Sequence, residues 1–368
     1  GAQLDAYLCG GIGSDHECTR LEEAREKLSK GMHIMLREGS QARDLEALAP
    51  LVSSQTKQRC MLVSDDCHPE DLLERGHMNR VLKRAMELSI DPITAIQLAS
   101  LNPARYFGLR TMGAIAPGYP ADMVLLNSLQ PLQIGRVYKK GKLVAEDGKC
   151  LLVKRPMADK VQLISMNLEE LKEEDLRLQV QGSEMRAIRA VPNTLITEEE
   201  IVPVADRQGQ AVSDANRDLL KMVVIERHQG SGRKGFGFVR GLGLRKGALA
   251  STVAHDSHNL IVVGVSDSDM VVAANTVREL GGGLVVVSDG QVQAQLPLPV
   301  AGLMTAASLK QVVAWKKEVN QAALELGATV EHPFMALSFL ALPVIPKLKL
   351  TDQGLVDVES FTHVDLFV

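Results

Sequence analysis

Cys60-Met61-Leu62-Val63-Ser64-Asp65-Asp66-Cys67-His68-Pro69 sets a short apolar run directly against a polar cluster. The same order occurs twice upstream. His33 to Leu36 runs into Arg37-Glu38-Gly39-Ser40, and the short, Gly-broken Leu8 to Ile12 leads into Ser14-Asp15-His16-Glu17. Helical periodicity comes after each cluster: Thr19 to Lys30, with Leu21, Ala24 and Leu28 on one face; Asp44 to Val52; and Leu72 to Leu88. A further helix is expected over Pro92 to Tyr106, with proline in its first turn. Strand–helix units in series predict parallel strands joined by crossover helices. The polar clusters then fall at the carboxyl ends of the strands, where α/β barrels place their chemistry.

The character of the chain changes after residue 110. A turn-rich entry, Gly113 to Gly118, precedes short strands expected at Asp122 to Leu126, Gly135 to Lys139 and Lys142 to Ala145, with Lys140-Gly141 as the last turn. Residues 156–200 are charged and mixed, with an acidic helical pattern over Leu168 to Leu176. From residue 201 a separate α/β domain is expected. Its strands are Met222 to Ile225, Leu260 to Val265, and Leu284 to Val287 paired with Val292 to Leu296 through Asp289-Gly290; its helix is Ser268 to Leu280.

Composition narrows the function classes. A net charge of −4 and 3% aromatic residues argue against a nucleic-acid surface or a base-stacking platform. No apolar stretch approaches the ~18 residues that span a bilayer. The five cysteines form no CxxC pair, which disfavours a disulfide framework or a Cys-rich zinc site and fits a reducing, cytoplasmic setting. HxE followed by PCxxC, the zinc deaminase signature, does not occur.

Four clusters carry candidate chemistry. An imidazole such as His16 at a strand end can ligate a divalent metal, with Glu17 in support; the same residues equally suit a helix N-terminus. Asp65 and Asp66 are adjacent carboxylates, a costly pairing that a cation or proton resolves; the competing role is a cap before Pro69. His68 belongs to this cluster, and His77 lies on the next segment. Arg37, Glu38 and Ser40 could contact a substrate edge or form a solvated loop. His255-Asp256-Ser257-His258-Asn259 precedes the apolar strand at Leu260; His255, Asp256 and His258 could reach substrate or metal, or satisfy one another within a turn.

The runs Asp91 to Ala104 and Gly113 to Val124 resemble, respectively, the helix after the last barrel strand and the return to the small β-sandwich in the amidohydrolase superfamily. Within it, SDHE (14–17), LREGS (36–40), SDDCHPEDLLERGH (64–77) and AHDSHNLIVVG (254–264) are similar to adenine deaminases. The resemblance extends over essentially the whole chain.

It implies an α/β fold: the C-terminal part of a (β/α)8 metallo-hydrolase barrel over residues 1–110, holding strands six to eight, then a small β-sandwich segment over 111–160. A connecting segment over 161–200 and a C-terminal α/β domain over 201–368 complete it. It implies His16 and Asp65 as metal ligands, Asp65 as the catalytic residue, and manganese or iron as the cofactor, binuclear in the intact enzyme. The implied reaction is hydrolysis of adenine to hypoxanthine and ammonia through a metal-activated water, in a homo-oligomer without nucleic-acid or membrane partners. It further implies that the HxH pair after strand one, the strand-four bridging ligand and the strand-five histidine lie upstream of Gly1. The 368 residues alone are therefore expected to be inactive. Two alternatives stand beside this reading: an amidohydrolase acting on another cyclic amidine or amide, and a non-catalytic fragment or assembly module.

Overall fold

Short apolar runs buried on both faces, each followed by an amphipathic helix, can satisfy their backbone groups only by pairing side by side. The computed structural model, which describes residues 1–40, 42–152, 166–191 and 194–368, shows that pairing. The chain divides into two compact units, residues 1–155 and 156–368.

In the first unit, helix α1 (Ala2–Cys9) leads to β1 (Ser14–Asp15), α2 (Leu21–Ser29), β2 (His33–Arg37), α3 (Leu45–Leu48) and β3 (Cys60–Val63). The strands form a parallel sheet in the order β1-β2-β3, with Ser14 opposite His33 and Ile34 opposite Cys60. Helices α4 (Pro69–Glu74), α5 (Met78–Glu87), α6 (Pro92–Ala99) and α7 (Leu101–Tyr106) come next. Ile34, Leu36, Cys60 and Leu62 pack with Ala24 of α2, Val81 and Ala85 of α5, and Ala95 and Leu98 of α6 in one buried core. Asp91 caps α6 by accepting the Thr94 amide at 2.9 Å, with Pro92 at the first helical position.

Three local expectations are corrected. Leu8 to Ile12 is no strand: Leu8 and Cys9 end α1, and the chain turns at Gly10 and Gly11, whose amides bond back to the helix. The helix expected over Leu72 to Leu88 is two helices, parted at Gly76. That residue sits at φ +90°, where a Cβ would meet the Asn79 side chain at 2.4 Å. The helix expected over Pro92 to Tyr106 likewise divides at Ser100.

Strands β4 (Met123–Ser128), β5 (Gln133–Lys139), β6 (Lys142–Glu146) and β7 (Lys149–Cys150) form one antiparallel sheet in sequence order. Lys140 and Gly141, both at positive φ, make the tight turn between β5 and β6.

The second unit is built on a sheet of eight strands. Strands β8 (Glu184–Ala190) and β9 (Thr197–Pro203) form one edge, followed in the chain by the short pair β10 (Asp206–Arg207) and β11 (Gln210–Ala211). Next come β12 (Leu220–Ile225), β13 (Lys234–Arg240), β14 (Ala248–Ser251), β15 (Leu260–Gly264), α8 (Asp267–Glu279), β16 (Gly283–Ser288) and β17 (Gln291–Pro297). The order is β17-β16-β14-β15-β12-β13-β8-β9, antiparallel except for β13 against β8. Helices α9 (Leu309–Glu325) and α10 (Pro333–Phe339) and a small sheet of β18 (Leu348–Thr351), β19 (Gly354–Asp357) and β20 (Thr362–Val364) complete the unit. Met270, Ala273, Ala274 and Val277 of α8 fill a core on one face of the large sheet; Val319, Ala322 and Ala323 of α9 and Leu337 of α10 fill a core on the other.

The stretch expected as a connector thus supplies two strands, β8 and β9. The acidic helix expected over Leu168 to Leu176 reduces to a single 3₁₀ turn, Glu173–Leu176. Its backbone is used elsewhere: the Leu171 amide donates to Asn275 Oδ1, and Leu171 O accepts from Asn275 Nδ2, both at 2.9 Å. These tertiary bonds replace the ladder that propensity alone would favour.

Glu226, just after β12, is buried and organises the next turn. Its carboxylate accepts the amides of His228, Gln229 and Ser231 and the Ser231 hydroxyl. Burial pushes this carboxyl up, but the four donors outweigh it and hold it down at about 2. A depressed carboxyl supplies stability above its unfolded value and loses it as pH falls. The contribution, about 3 kcal/mol, should fade between about pH 4.5 and 2. Trp315 of α9, the chain's single tryptophan, packs against the unit's core and reports its unfolding. Glu226→Gln should cost about 2–3 kcal/mol at pH 6 by this signal, with the gap closing at low pH. A gap constant across pH would contradict the assignment.

Candidate metal centre

β1 and β3 flank β2 in the parallel sheet, so their carboxyl ends bring Asp15, His16 and Glu17 to the same side as Asp65. Ligand atoms of His16, Glu17 and Asp65 all lie within 4.8 Å of one another. His16 Nε2 is 3.2 Å from Glu17 Oε1. Asp65 occupies the left-handed region at φ 53°, a conformation in which a short polar side chain is tolerated and which turns it off the strand line.

Arg37, at the end of β2, ties the cluster together. Its Nη1 donates to Glu17 Oε1 at 2.9 Å and to Asp65 Oδ2 at 3.0 Å, while Nε and Nη2 reach Asp44 Oδ2 at 3.1 Å. The guanidinium is 9% exposed. Burial alone would lower its pKa, but the bonds to Glu17 and Asp44 outweigh that and raise it. One guanidinium against the three carboxylates Glu17, Asp44 and Asp65 leaves a net of two negative charges. That balance, with one imidazole nitrogen and carboxylate oxygens as donors, fits a divalent first-row cation.

The neighbouring residues lock this arrangement. Glu38 is buried, and burial pushes its carboxyl up. The Arg80 guanidinium donates to the Glu38 carbonyl at 2.8 Å. The Ser40 hydroxyl donates to Asp71 Oδ2 at 2.6 Å and accepts the amide of buried His68 at 2.8 Å, fastening the β2 and β3 loops to each other. The Ser40 amide donates to the Asp66 carbonyl at 3.0 Å. His77 Nε2 and Ser64 Oγ share a hydrogen bond of 2.8 Å beside Asp65. Of the residues singled out in sequence, His16, Glu17, Arg37 and Asp65 therefore converge, while Glu38, Ser40, Asp66, His68 and His77 frame them. Arg80, Asp71 and Asp44 escaped sequence reading because each lies on a helix or its cap, with no motif to mark it.

A second group, Asp15, Cys18 and Glu23, also has ligand spacing. The Lys27 ammonium already fills it, bonded to both carboxylates and 3.6 Å from Cys18 Sγ.

In the other unit, His255, Asp256 and His258 lie on the turn between β14 and β15. The His255 ring stacks on Phe339 of α10 at 4.8 Å and stands 5.4 Å from the His258 ring. His258 Nδ1 accepts the Ala254 amide at 3.3 Å, and its carbonyl receives Arg227 Nε. Asp256 is 79% exposed. Among the described residues this turn belongs to no group of three metal-ligating side chains.

The amidohydrolase family model matches residues 7–144, and the adenine deaminase C-terminal domain matches residues 194–362. The chain is 48% identical over 367 residues to an adenine deaminase of Desulfatibacillum aliphaticivorans, covering 100% of this chain and 64% of the relative. It is 46% identical to adenine deaminase 2 of Carboxydothermus hydrogenoformans, covering 99% and 64%. An adenine deaminase of Oleidesulfovibrio alaskensis is 48% identical, covering 100% and 64%. The chain thus spans a little under two thirds of the length of these relatives. It matches both domain models in order and is similar to these adenine deaminases from end to end of its own length.

Proposed function

We propose that these 368 residues form part of a metal-dependent hydrolase that converts adenine to hypoxanthine and ammonia. The observation that carries the reading is the convergence of His16, Glu17 and Asp65 at the strand ends, with a net negative charge left after Arg37 is counted. His16 and Asp65 would hold a divalent cation, manganese or iron, commonly as a pair. The chemistry such a cation supplies is acidification of water at neutral pH and stabilisation of developing negative charge.

The protein's own groups do the rest. Asp65 Oδ2 is held by Arg37, which fixes the plane of the carboxylate and leaves Oδ1 without a hydrogen bond among the described residues. Oδ1 is then the atom placed to accept a proton from the attacking water and pass it toward the departing amine. Arg37 Nη1 donates to both Asp65 Oδ2 and Glu17 Oε1 and so keeps the two carboxylates on the same side. Glu38, buried and with the Arg80 guanidinium 3.8 Å from its carboxylate, would hydrogen-bond a purine edge.

Within the 368 residues, no HxH pair occurs among the nine histidines. We therefore expect these residues by themselves to deaminate adenine at no enzymatic rate. The test joins the chain to the part of its relatives' length that it does not cover and measures ammonia release from adenine and other purines with Mn²⁺ supplied. Hypoxanthine formation by the joined chain and none by the 368 residues is the expected result. Equal turnover by both, or ammonia from a different cyclic amidine only, would overturn it.

A further inference from the structure

We propose that Lys27 is a positioning residue for His16 and Glu17, acting through Asp15; the proposal rests on the reading of His16 as a metal ligand.

His16 and Glu17 lie just beyond β1, a strand of two residues, too short to orient the side chains after it. Their orientation must come from side-chain bonds, and Asp15 provides them. One carboxylate oxygen, Oδ1, accepts the Glu17 amide at 2.7 Å and closes the turn that carries His16. The other, Oδ2, accepts the Lys27 ammonium and lies 3.6 Å from Cys18 Sγ. The Asp15 side chain is 17% exposed and that of Lys27 18%, so neither is free to exchange its partner for water.

Lys27 stands in the last turn of α2, twelve residues along the chain from Asp15. Its ammonium has three donors, and three acceptors surround it: Asp15 Oδ2, Glu23 Oε1 at 2.6 Å and Cys18 Sγ at 3.6 Å. Glu23 is one turn back on the same helix, so it fixes the lysine's rotamer and aims the amine at β1. The result is a continuous line of contact from the helix, through the ammonium and the Asp15 carboxylate, to the Glu17 amide. The helix is in turn anchored by Ala24 in the core beneath the sheet. A rigid element thereby sets the direction of a ligand that stands on a loop, the arrangement by which outer contacts tune metal affinity. Removing the amine would leave a largely buried carboxylate unpaired, and Asp15 would turn toward solvent, releasing the Glu17 amide.

The test compares Lys27→Met and Lys27→Arg with the unaltered 368-residue chain. Amide hydrogen exchange is read by NMR, and Mn²⁺ affinity by the electron paramagnetic resonance signal of the free ion. In Lys27→Met, the Glu17 amide should exchange at least tenfold faster and Mn²⁺ should bind at least fivefold more weakly, while Ile34 and Leu62 keep their protection. Lys27→Arg, which restores the charge, should recover most of both losses. Unchanged Glu17 exchange, or protection lost equally across β2 and β3, would overturn the proposal; the latter would make Lys27 a fold-holding residue only. If the unaltered chain binds no Mn²⁺, the ligand reading of His16 fails, and the Glu17 exchange rate still decides whether Lys27 orders the turn.

Discussion

Asp65→Asn, made in the chain joined to the part of its relatives' length that it does not cover, should keep the fold and lose nearly all turnover. Asparagine matches aspartate in size and tolerates the left-handed conformation at φ 53° as readily, so the backbone has no reason to move. The amide oxygen can still accept the bond from Arg37 Nη1, now at 3.0 Å to a carboxylate oxygen. The substitution removes the ability to take a proton and one unit of negative charge facing the cation. Proton transfer by a placed side chain contributes about 10²–10⁴ in rate, and the loss should fall in that range or beyond. Retention of more than about a tenth of kcat, a loss under ~1.4 kcal/mol, would remove Asp65 from the proton path. Circular dichroism and melting temperature must be unchanged for the result to count.

Arg37→Met should destabilise the first unit substantially. The guanidinium is buried and serves Asp44, Asp65 and Glu17 at once. Breaking a buried ion pair by removing one partner costs about 3–5 kcal/mol. Glu17 and Asp65 are 66% and 36% exposed and recover hydration, so the cost falls mainly on Asp44, 15% exposed, and lies near the lower bound of about 3 kcal/mol. Arg37→Lys should rescue little, because a point charge cannot reach both Asp44 and the Glu17–Asp65 pair. Mn²⁺ should restore part of the lost stability, since a cation at the same carboxylates binds only the folded chain. Denaturant unfolding followed by circular dichroism measures all three. A loss below ~1 kcal/mol, or full rescue by lysine, would mean that the Arg37 network is ornamental to the unit.

Much of the fold was legible in the sequence. Cys60 to Val63 read as a strand because four apolar residues sit between a polar run and a polar cluster, and they pair as written. Lys140-Gly141 and Asp289-Gly290 announced their hairpins because only such pairs accept two positive φ angles at low cost. His16 and Asp65 were legible as a pair only because both came after strands of one parallel sheet. The misses have a common cause: tertiary partners that the local sequence does not display. Leu168 to Leu176 has helical spacing, yet Asn275, about a hundred residues away, claims the backbone of Leu171. β8 carries Glu184, Arg186 and Arg189 and β9 carries Glu198, Glu199 and Glu200, a charged composition that reads as a connector until Arg186 meets Glu199 across the ladder at 2.9 Å. Arg37 in LREGS reads as an open contact residue, while its donors are committed to carboxylates from three separate segments.

Metal binding decides whether His16, Glu17 and Asp65 form the proposed cation site. Mn²⁺ titrated into the 368-residue chain, with free ion followed by electron paramagnetic resonance, should show saturable binding that is lost in the His16→Ala, Asp65→Asn double variant while its circular dichroism stays the same. Absence of saturable binding in the unaltered chain, or equal binding in the double variant, would refute the cation site.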